Sequence, residues 1–73
     1  MEQYDQVLIQ QLFDQNPRFR MLYEEHQLLE KELNQLNQKH YLSAEEEVEK
    51  RKIQKLKLAG KDEMERMLRS NRQ

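Results

Sequence analysis

Phe19, Leu22, His26, Leu29, Leu33, Leu36 and His40 follow one another at alternating steps of three and four. A spacing that averages 3.5 keeps one face of an α-helix turned toward a partner helix, so the pattern predicts a packing seam. The helix that carries it is expected over residues 17–39. Asn16 suits its N-cap, and Pro17 suits the first turn, where the missing N–H would be unpaired anyway. Met21 and Leu28 lie off the seam, seven residues apart. A second stripe, Ile53, Leu56, Gly60, Met64, Met67 and Leu68, lines one side of a helix expected over residues 44–69. Leu58 points away from that stripe.

The start of the second helix is marked by Ser43-Ala44-Glu45-Glu46. The Ser43 hydroxyl can accept from the N–H of Glu46 while the Glu46 carboxylate reaches back to the N–H of Ser43, which is a capping box. Glu45, Glu46, Glu47 and Glu49 stand at the positive end of the helix dipole, and Arg66, Arg69 and Arg72 near its negative end. Glu46/Lys50, Glu47/Arg51, Asp62/Arg66 and Glu65/Arg69 have the spacing of i,i+4 ion pairs. Gly60 costs about 1 kcal/mol relative to Ala inside a helix, and on the stripe it admits a close backbone or leaves a gap for Met64 to fill.

Ahead of Asn16, residues 3–14 carry a weaker helical signal: Tyr4, Leu8 and Leu12 at steps of four, flanked by Val7, Ile9 and Phe13. So short a helix is marginal alone and must dock or fray. Two long helices joined by residues 40–43 fold back on one another. The expected fold is therefore all-α: an antiparallel, coiled-coil-like two-helix hairpin with a short N-terminal helical segment, a single domain over residues 1–73.

Composition narrows the range of functions. The chain has 73 residues, 37% of them charged, with one Gly, one Pro and no Trp. There is room for one small core and no more. No cysteine is present, which removes disulfides, thiolate nucleophiles and zinc–thiolate sites and fits a reducing compartment. No apolar run is long enough to span a bilayer, and the first residues lack a signal-peptide pattern, so a cytoplasmic protein is expected. The net charge of −1 does not steer the whole molecule to nucleic acid.

Several stretches resemble the YdcH-like family, small bacterial proteins assigned to a domain of unknown function. They are Asn16-Pro17-Arg18-Phe19, Leu22 with Glu25-His26 and Leu29, Glu32-Leu33, Glu45-Glu46, Lys57-Leu58 and Lys61-Asp62-Glu63-Met64. The resemblance covers most of residues 16–68 and implies a helical hairpin, with no established activity, cofactor or catalytic residue. Gly60 departs from the pattern, which usually has a larger apolar residue before Lys-Asp-Glu, so looser packing is implied there.

Candidate chemistry is sparse. His26 and Glu30, four apart, would place two metal ligands on one helix face, but a site needs more, and His40 lies about 21 Å along the axis. The plainer account seats His26 in the seam, neutral and bonded to a facing carboxylate such as Glu63. Ser43 with His40 is the only nucleophile pairing, yet capping already occupies Ser43 and no oxyanion-hole loop exists. The carboxylates of Glu24, Glu25, Glu30 and Glu32 lie on a charged helix, not in an apolar cleft. No catalytic residue, cofactor or metal is expected. Lys50, Arg51, Lys52, Lys55, Lys57 and Lys61 form the one patch that could contact phosphates. Neighbouring acidic residues and the absence of interleaved aromatics weigh for an ordinary solvated face. A basic helix without an aromatic opposite face is a poor membrane binder.

A lone hairpin offers about six apolar side chains from each helix on one interface, little against the entropy of ordering it. Met21, Leu28, Leu58 and the Tyr4–Phe13 segment lie where a second copy could cover them. The sequence therefore predicts a homodimeric helical bundle that serves as a protein-interaction or structural module. The competing arrangement folds the N-terminal segment over its own hairpin as a third helix.

Overall fold

The computed structural model describes residues 5–70. Three α-helices account for most of the described residues: α1 (Gln6–Gln15), α2 (Pro17–Asn37) and α3 (Ala44–Ser70). The backbone measures 46 × 21 × 16 Å, a rod set by the length of α2 and α3.

Local chemistry fixes the boundaries. Asp5 caps α1, its Oδ1 accepting from the Val7 N–H at 2.8 Å; the expected start of this segment at residues 3 and 4 lies outside the described residues. Asn16 closes α1 and opens α2 at once. Its N–H donates to the Leu12 carbonyl at 2.8 Å, and its Oδ1 accepts from Arg18 and Phe19 N–H groups at 3.0 and 3.1 Å. No glycine stop is needed at the other end: α2 finishes at Asn37, two residues early, in a tightened turn where the Lys39 N–H donates to the Leu36 carbonyl at 3.2 Å. The capping box of α3 is present in both directions, Glu46 N–H to Ser43 Oγ at 3.1 Å and Ser43 N–H to Glu46 Oε1 at 3.0 Å.

α2 and α3 pack antiparallel, and α1 folds back over the end of the hairpin remote from the turn. The core lies there. Phe19, Leu22, Met64 and Leu68 are buried together with Ile9 and Leu12 of α1, and Leu8, Phe13, Tyr23 and Met67 pack around them. The Phe13 ring meets Tyr23 edge-on at 5.6 Å, and Arg20 lies over Phe13 while donating to the Phe13 and Asp14 carbonyls at 2.9 and 3.1 Å. That guanidinium satisfies carbonyls the end of α1 would otherwise leave open. The apolar groups of α1 are thus spent largely on its own hairpin rather than left for a second copy.

Toward the turn the seam thins. Leu29, Leu33 and Leu36 are half-buried, so Leu29 and Leu33 do not form the centre of the contact; there only Ile53 is buried. Leu56 is 43% exposed and stands outside the stripe it was assigned to. The α3 face turned to α2 runs instead through Lys50, Ile53, Lys57 and Met64, with Gly60 at its edge toward Leu56. Lysine can occupy a seam because its methylene stem packs while the ammonium reaches solvent.

Candidate functional site

At 100° per residue, Tyr23, Gln27 and Glu30 project to one side of α2, and Leu29 and Leu36 to the other. The hairpin therefore has two faces. α1 packs against the first, where a small cleft lies between Ile9 and Phe13 of α1 and Tyr23 and Gln27 of α2. Beyond α1 on this same side is an open groove of about 470 Å³, lined by His26, Glu30 and Leu33 of α2 and Gln54, Lys57, Leu58 and Lys61 of α3.

Across the seam from His26 stand Lys57 and Lys61, not a carboxylate. Glu63 faces the other way, held by a two-pronged bond from Arg18: Nε to Oε2 at 2.9 Å and Nη2 to Oε1 at 3.1 Å. Burial lowers the His26 pKa below its ordinary 6.5, Glu30 pulls it back up, and Lys57 and Lys61 push it further down. The Arg18 guanidinium holds the Glu63 carboxyl below its usual range, and Lys39 with the Ser43 N–H does the same for Glu46.

The second face carries Leu29 and Leu36 from α2 and Leu56 and Gly60 from α3, with the Arg18–Glu63 bridge across it. A side chain added at Gly60 would meet nothing within 4 Å. Neither a close backbone nor Met64 fills that space. At the outer edge of α2, Met21 and Leu28 are 60% and 62% exposed, while Leu58, 61% exposed, sits at the rim of the groove on the first face. The three are apolar and uncovered, but they do not form one patch.

The basic residues divide between surfaces. Lys50, Lys57 and Lys61 are half-buried on the seam side, with Lys57 Nζ 3.8 Å from Glu30; Arg51, Lys52 and Lys55 are exposed on the outside. Among the described residues none of the expected i,i+4 ion pairs of α3 closes to 4.0 Å, because Glu46 turns to Lys39 across the turn and the remaining partners stay in water. No three His, Cys, Asp or Glu side chains among the described residues stand close enough to hold a metal ion. Ser43 Oγ is engaged by the Glu46 N–H, and His40 is exposed in the turn.

Sequence reasoning missed Lys57 and Lys50 as seam members, although the alternating three and four steps through Ile53 and Met64 pass through both. Half-buried Leu42 in the turn carried no periodic signal, and the Arg20 bonds to α1 carried none either.

Residues 19–68 match the model of a family described as a protein of unknown function (DUF465). The chain belongs to that family, and the YdcH-like resemblance is consistent with the match. No curated protein and no solved structure matches it.

Proposed function

We propose that this member of the family is a cytoplasmic, non-catalytic interaction module that works as a self-associating helical hairpin. The observation that carries this reading is the placement of apolar groups: the intramolecular core is gathered at one end under α1, while Leu28 and Leu56 stay exposed along the rest of the hairpin and Met21 on the outer edge of α2. Water-facing apolar side chains on a chain this short gain most by covering one another in a second copy. Sedimentation over a hundredfold range of protein concentration tests it. Mass rising to twice the chain's own supports the module, and a concentration-independent monomer removes it.

A second reading, nucleic-acid binding, rests on Arg51, Lys52 and Lys55, which are exposed and have no carboxylate within 4.0 Å among the described residues. Three cations on one helix make a small footprint, since the other three face the seam. A mobility-shift titration at two salt concentrations separates the readings: phosphate contacts weaken steeply with salt, whereas the module gives no shift at micromolar protein.

A further inference from the structure

The geometry points to the face opposite α1 as the contact between two copies of this chain, related by a two-fold axis that runs along the hairpin. The inference rests on the self-association proposed above and specifies its surface and symmetry. Three ion pairs, Arg18–Glu63, Glu30–Lys57 and Lys39–Glu46, cross the hairpin at successive heights and set the register of α2 against α3 to within about one turn. By interpolation Leu28 stands within one helical turn of the level of Leu56, and Glu32 within one turn of Lys52. A two-fold axis along the hairpin preserves height and exchanges the helices, so α2 of one copy stands over α3 of the other. Leu28 then comes within a turn of Leu56, and Glu32 within side-chain reach of Lys52, twice over by symmetry. Both charges are exposed in the single chain, and neither has a partner within 4.0 Å among the described residues.

The other two-fold stacking lays α2 antiparallel on α2. Centred on the exposed Leu28, it sets Glu25 of one copy against Glu32 of the other, a like-charge contact that disfavours it. The first face is less suited to a second copy because α1 packs against one end of it and the groove beyond sets Lys57 and Lys61 beside Glu30, Leu33 and Leu58. Gly60 adds an independent observation. It sits in a helix interior at a cost in propensity, with ordinary backbone angles and empty space where a side chain would be. Nothing in its own chain uses that space, whereas a helix of a second copy lying on this face would approach its backbone.

The test is the dimer dissociation constant, by sedimentation equilibrium, of the full chain and of Glu32→Lys, Lys52→Glu, the double variant, and Gly60→Ala. Circular dichroism of each confirms that the exposed substitutions leave the helices formed. Each single charge reversal replaces two attractive pairs by two repulsive ones and is expected to weaken the dimer about tenfold or more; the double variant restores it to within about threefold. Gly60→Ala is expected to weaken the dimer while raising the melting temperature of dilute, monomeric protein. A parent dimer that ignores the single reversals, or stays weak in the double variant, overturns this face and symmetry but leaves self-association standing. A parent that is monomeric throughout overturns both.

Discussion

Phe19, Met64 and Leu68 have no exposed surface because three helices converge on them. Met64→Ala removes most of a buried side chain where the surroundings cannot easily close, and should cost about 2–5 kcal/mol. The same change at half-buried Leu33 should cost less, and at exposed Leu56 about 0.5 kcal/mol or less in dilute monomer. Denaturant midpoints of the three variants rank them, and a Leu56 variant as unstable as the Met64 one would contradict the burial seen. His26 gives a signed pH response. Its folded pKa is depressed, so the folded chain prefers the neutral ring. The stability it supports is complete above the unfolded pKa of about 6.5 and is lost as pH falls through that value toward the folded pKa. His26→Gln should flatten the melting temperature between pH 7 and 5; a variant with the parent's profile there would assign the response elsewhere.

At the scale of elements, the helices and their caps could be read from the sequence because each signal is local. Asn16-Pro17 and the Ser43/Glu46 box act within three residues, and the geometry expected of them is present. Asn16→Ala removes an acceptor shared by two N–H groups and should lower stability by about 0.5–2 kcal/mol, measured by thermal melting. What periodicity could not supply was the third helix in the core. α1 presses on one face of the hairpin and recentres the packing on Phe19, Leu22, Met64 and Leu68, while Leu56 is left outside. A 3.5-residue repeat states that a face is covered, not by how many partners. The residues near Gly60 were harder still, since an apolar–polar pattern treats lysine as outward-facing and Lys57 lies with its stem in the seam. The docking of α1 has a direct consequence: a chain beginning at Asn16 would uncover Phe19, Leu22, Met64 and Leu68 together. Its melting transition should fall well below the parent's and broaden, and a truncated chain that melts like the full one would show α1 to be dispensable.

Over the whole molecule, the buried groups are concentrated at the end away from the turn, and this sets how the chain can assemble. Helix hairpins that hold their best contacts beside the loop can close like a zipper, each step bringing near neighbours together. Here Arg18 and Glu63, bonded beside the core, are 45 residues apart. The polar arm near residues 33–53 offers little to hold a partly closed state, so the intervening chain must be looped before the strongest contacts repay it. The rate-limiting step of folding is then expected to be the meeting of the two distant ends. Substitutions at Met64 or Leu22 should slow folding, and loss of the Lys39–Glu46 contact beside the turn should chiefly speed unfolding. Stopped-flow chevrons distinguish the two. On that expectation α1 does more than complete a core: by covering the two ends once they have met, it would act as a latch that keeps the hairpin closed.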